Sequence, residues 1–138
     1  MLLSLLIGAA SGLRTFTPLG VLALDSRADR PLRTGAALLA AGGELVGDKL
    51  PSTPARTKAG PAIARVVTGA IGGSIIAPRG RKLSGAIAGA VGAFAGTQGG
   101  FRARAFGAGL AKNDWPAAIA EDLLAVGLSL AAVRLARR

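Results

Sequence analysis

An arginine stands in the middle of the opening apolar run. From Met1 to Leu24 the sole charged residue is Arg14, set within Gly12-Leu13-Arg14-Thr15-Phe16-Thr17-Pro18. About 20 apolar residues suffice to cross a bilayer. A guanidinium at the centre of such a span costs about 2.5–3.5 kcal/mol on insertion scales. The chain must therefore compensate for Arg14, and the proline just beyond it marks where a helix would be interrupted.

The composition points the same way. Hydrophobic residues make up 51% of the 138 residues and charged ones 17%, against about 25% charge in soluble domains. The length holds one domain. Glycine is abundant and aromatics are scarce, so the chain lacks bulk for a water-soluble core and is rich in residues that let helix backbones approach. Gly8/Gly12, Gly43/Gly47, Gly69/Gly73, Gly85/Gly89 and Gly92/Gly96 all carry small-xxx-small spacing. Five such pairs in a short chain predict a tight helical bundle.

Neither cysteine nor histidine occurs. Disulfides, thiolate chemistry, Ser-His or Cys-His catalysis and imidazole-built zinc sites are excluded. No enzyme, metal site or cofactor is expected. The net charge of +10 raises nucleic acid as a partner. The basic residues, however, are scattered at the ends of apolar runs without aromatic stacking platforms, so lipid headgroups are the expected partner and nucleic acid is not. The opening MLLSLLIGAASG has no basic segment before it and is read as retained rather than as a signal peptide.

In order, the pattern predicts an interrupted run over 1–24 and a polar loop over 25–33. A short helix from Gly35 to about Leu50 is closed by Pro51 and Pro54, and a third helix spans about 60–77. After the turn Pro78-Arg79-Gly80-Arg81-Lys82, an apolar run over 83–110 is interrupted at Gly96-Thr97-Gln98-Gly99-Gly100. A last helix over 117–136 opens behind Trp115-Pro116.

The two halves resemble each other. GLRTFTPLGVLA (12–23) aligns with GFRARAFGAGLA (100–111), with Gly8 opposite Gly96, and AAGGE (40–44) with AAIAE (117–121). Two spans, a linker helix and two spans place the second copy upside down, as in inverted-repeat transporters. If one broken run re-enters instead of crossing, the halves become parallel. The expected fold class is therefore all-α: an integral membrane helical bundle of about five spans in one domain. Repeat one covers 1–50, the linker helix 58–77 and repeat two 83–136, with the first and fourth helices broken.

Arg14 and Arg102 stand where the helices would break, beside freed backbone N–H groups that suit an anionic or polar group. Equally, each could pair with a bundle carboxylate and lock the fold. Glu44 and Asp48 share a helical face, and Glu121 is the repeat-matched acid. They could face a cavity and take up a cation or proton, or neutralise the arginines. Thr15 and Thr97 could serve as neutral ligands, or satisfy backbone groups freed at the interruptions. Lys49, Arg65 and Asp122 are assigned to pairing.

GxRxFxPL (Gly12, Arg14, Phe16, Pro18, Leu19) and GExxxDKxP (Gly43, Glu44, Asp48, Lys49, Pro51) resemble motifs of a family of small bacterial multi-pass membrane proteins classed as a domain of unknown function. The likeness covers nearly the whole chain. It implies an integral membrane protein and lends no activity. The expected function is a homo-oligomeric inner-membrane transporter or channel-like carrier. It would bind a small polar or ionic solute at a midplane site of Arg14, Thr15, Glu44, Asp48, Thr97, Arg102 and Glu121. The alternative is a structural or lipid-interacting protein whose ion pairs only stabilise the bundle.

Overall fold

The computed structural model describes residues 1–25, 35, 59–110 and 115–137. Among these the secondary structure is helical: α1 (Leu2–Leu13), α2 (Thr17–Asp25), α3 (Ala59–Ile76), α4 (Lys82–Leu110) and α5 (Trp115–Ala136).

The opening run does not form one rod. α1 ends at Leu13, and Arg14 is extended (φ −136°, ψ 120°), its N–H closing the last turn on Ala10 O at 2.8 Å. The helix restarts with Phe16 O accepting from Gly20 N at 3.0 Å. Pro18 falls in this first turn, where a missing N–H leaves no gap in the ladder. Ile7 of α1 and Leu22 of α2 belong to one buried cluster with Ala132 and Val133 of α5. A Cβ built on Gly72 would touch both Ile7 and Leu22 at 3.5–3.6 Å. The chain therefore folds back on itself at Arg14–Phe16.

This corrects the expected architecture. At 1.5 Å per residue, the 12 residues of α1 reach about 18 Å, short of the ~30 Å hydrocarbon core. α4 has length, but its glycines and Thr97-Gln98 dilute its hydropathy. α3 carries Arg65, and α5 carries Glu121, Asp122 and Arg134. Among the described residues no helix is long and apolar enough to cross a membrane. The integral membrane bundle, the membrane and transporter assignments and the multi-pass inner-membrane location do not hold.

The inverted repeat falls as well. Contacts between α1 and α4 pair Leu5 with Gly92 and Ala9 with Gly96, so the two helices run parallel, whereas inverted copies would oppose them. Nor does α4 break at Gly96–Gly100; it is helical throughout Lys82–Leu110. Glycine disfavours a helix by about 1 kcal/mol per residue. Packing supplies the compensation: Gly92 and Gly96 lie against the carbonyls of Leu5 and Ala9.

α3 and α4 form an antiparallel hairpin whose backbones touch at Gly69/Gly89 and Gly73/Gly85. Pro78 O accepts from Arg81 N at 3.0 Å to close the turn. Gly80 occupies its left-handed position at φ 90°, which a Cβ would strain. Ser4 Oγ on α1 donates to Gly73 O at 3.1 Å, tying α1 to the hairpin. Four of the glycine pairs singled out above thus lie at helix crossings. Gly43/Gly47 lies outside the described residues. Gly127 is different, because a Cβ there meets nothing within 4 Å. We expect Gly127→Ala to stabilise the fold by about 0.5–1 kcal/mol through helix propensity. A lower denaturation midpoint would show that Gly127 packs against a neighbour instead of facing open space.

Candidate functional site

The break between α1 and α2 puts Arg14 inside the protein, 4% exposed. Its side chain crosses to α5, where Nε donates to Asp122 Oδ1 and Nη2 pairs with the same oxygen. The Asp122 side chain is 32% exposed, so the pair sits at the edge of the core. Asp122, the acid assigned to pairing, is thus a partner of Arg14.

Glu121 and Asp122 are consecutive, hence about 100° apart around α5. While Asp122 turns to Arg14, Glu121 turns to a cleft bounded by α1, α4 and α5. Its volume is about 610 Å³, and its walls are Ala9 and Leu13 of α1, Ala95, Gly96, Gly99, Gly100 and Ala103 of α4, and Ala120, Glu121, Leu124 and Leu128 of α5. The cleft exists because α4 and α5 hardly touch along this stretch and α4 offers it only glycine and alanine. Glu121 is buried (8% exposed), and its Oε1 lies close enough to Gly100 that a Cβ there would meet it at 3.2 Å. Glu121 is the one charged residue among the described residues lining the cleft.

The remaining expected site residues disperse. Thr97 Oγ1 donates to Ala93 O at 2.8 Å on its own helix and to Gly12 O at 3.2 Å. Gly12 O is one of the carbonyls left without a helical partner where α1 stops. Thr97 therefore satisfies freed backbone, the structural role weighed for it above. Thr15 is buried beside Arg14 in sequence but does not line the cleft. Arg102 is exposed on α4 and joins neither the cleft nor the Arg14–Asp122 pair. Arg65 is buried on α3. There Thr68 Oγ1 donates to Ala64 O at 2.9 Å and to Arg65 O at 3.0 Å. Glu44, Asp48 and Lys49 lie outside the described residues.

Sequence reasoning missed the wall formed by Gly99, Gly100, Ala103, Leu124 and Leu128. The signal was present in Gly99-Gly100, but two adjacent glycines in an apolar run read as a helix break rather than as one flat side of a cleft. Among the described residues there is no group of three or more metal-ligating side chains.

No protein-family model, curated protein or solved structure matches the chain. The family resemblance therefore rests on its motifs alone, and the site has to be interpreted from its own chemistry.

Proposed function

We propose that the chain is a binding protein for small, mainly apolar molecules that carry one cationic group, held in the α1–α4–α5 cleft. The observation that supports this reading is the cleft itself. Its volume, about 610 Å³, falls in the range of small-molecule sites, which are apolar with a few placed polar groups. Leu13, Leu124 and Leu128 would cover an aliphatic or ring body, while the Glu121 carboxylate, already engaged within the protein, would offer its remaining acceptor sites to an ammonium or similar donor. Binding without catalysis is the activity proposed. The favoured ligand is more apolar than the polar or ionic solute expected from the sequence, because the residues that gather here are glycine, alanine and leucine. The Arg14–Asp122 pair stands outside the cleft lining and is assigned to stability.

The test uses the neutral dye N-phenyl-1-naphthylamine, whose fluorescence rises on entering an apolar site. A primary alkylammonium should displace it at about tenfold lower concentration than an alkyl sulfate of equal chain length, both kept below micelle formation. Glu121→Gln should remove that preference. Gly99→Leu should abolish dye binding with an unchanged melting temperature, since a Cβ on Gly99 enters open space. Undiminished dye binding by Gly99→Leu, or equal displacement by the two amphiphiles, would rule this reading out.

A further inference from the structure

The α3–α4 hairpin carries a second feature, unrelated to the cleft. Ile63, Val67, Ile71 and Ile75 repeat every fourth residue along α3, and all are exposed. Leu83, Ile87, Val91 and Phe94 form the matching exposed stripe on α4, with Leu83 77% accessible. Both stripes begin at the same turn, where Arg79, Arg81 and Lys82 are exposed together. From Ala59 to Leu110 there is no aspartate or glutamate at all. The turn is thus a cluster of like charges with no acidic residue of its own hairpin to offset it, bordered on both sides by bare aliphatic side chains. Exposed apolar surface on this scale marks an interaction site.

We infer that the hairpin docks on an anionic lipid surface, with Arg79, Arg81 and Lys82 on the phosphate headgroups and Ile75, Leu83 and their neighbours against the acyl boundary. Two observations select this occupant over a second copy of the chain. At a net charge of +10, two copies brought together at their basic turns repel. The stripes are also mainly Ile, Val and Leu, without the Tyr, Trp and Arg anchors of specific protein interfaces, which suits an apolar phase rather than a shaped partner. Basic residues at a rim of aliphatic surface are the arrangement by which proteins lie on anionic membranes. Such docking requires no helix to cross the bilayer.

The test is flotation of the full chain with phosphatidylcholine vesicles, with and without phosphatidylglycerol. Binding should require phosphatidylglycerol and weaken with added salt. The triple variant Arg79→Ala/Arg81→Ala/Lys82→Ala should bind about a hundredfold more weakly, the product of three near-surface cations. Its melting temperature should hold, since these side chains are exposed. Ile75→Ser/Leu83→Ser, again at exposed positions, should reduce the partition further at every salt concentration. Gly99→Leu, which blocks the cleft, should float like the parent, so this inference and the cleft reading fail separately. Equal binding to both vesicles, or wild-type flotation of the triple variant, would overturn the inference. So would self-association in sedimentation with no vesicle binding, which would assign the stripes to a second copy.

Discussion

Gly89→Ala is expected to destabilise the protein by about 3 kcal/mol, at the upper end of what an added methylene does in a packed interior. Three helices meet at this residue. A Cβ built on Gly89 would enter the carbonyl of Gly69 on α3, and one built on Gly8 of α1 would enter the carbonyl of Gly89 itself. The obstructing atoms are backbone, so no side-chain rotamer can relieve the clash and the helices must move apart. Separation also forfeits the dispersion contacts and Cα–H···O approaches that hold a crossing poor in large side chains. Gly8→Ala should lower stability by a similar amount, and Gly127→Ala should not lower it. Denaturant midpoints at constant slope would measure all three. A loss below about 1 kcal/mol for both crossing variants would mean that the helices are not in backbone contact.

The second large effect concerns Asp122→Ala, which leaves the Arg14 guanidinium in place, 4% exposed, without the carboxylate it touches. Breaking a buried pair from one side costs about 3–5 kcal/mol. The lower figure applies here because the Asp122 side chain is 32% exposed and water can partly replace it. Asp122→Asn should lose less, since an amide oxygen still accepts from Nε. The diagnostic variant is Arg14→Met/Asp122→Leu, expected to recover part of the loss, because it removes the desolvated charge along with this partner while giving up the other interactions of Arg14. A double variant as unstable as Asp122→Ala would show that the stranded charge is not what lowers the stability of Asp122→Ala. Dye binding in the double variant should survive, as neither residue lines the cleft.

Several parts of the fold were legible in particular residues. Arg14 followed by Pro18 announced a break, and the chain breaks between Leu13 and Thr17. Pro78-Arg79-Gly80 announced a turn, and Gly80 takes the positive φ that turn needs. Glycine spacing announced backbone contact but not which backbones. The same glycines misled at 96–100, where local propensity argued for a break and packing against α1 kept α4 helical. Apolar length misled too: Met1–Leu24 counted as one span, yet the chain returns at Arg14 and places Leu22 beside Ile7. The site was legible only in part. Glu121 was named, but in a site of arginines, acids and threonines; the described residues that line the cleft with it are glycine, alanine and leucine, whose separate positions in the sequence give no sign that they enclose a volume.

What the amino-acid sequence determined by itself was local: helical segments, their ends at proline and glycine, the basic turn, and the exclusion of imidazole and thiol chemistry. These depend on backbone dihedrals and side-chain inventory, which each residue carries with it. Only the tertiary structure decided that α1 and α4 run parallel, that Arg14 meets Asp122, and that α4 and α5 stand apart to leave a cleft. Those outcomes turn on which surfaces can approach within a few ångströms once every helix is placed, and no stretch of chain encodes that distance alone.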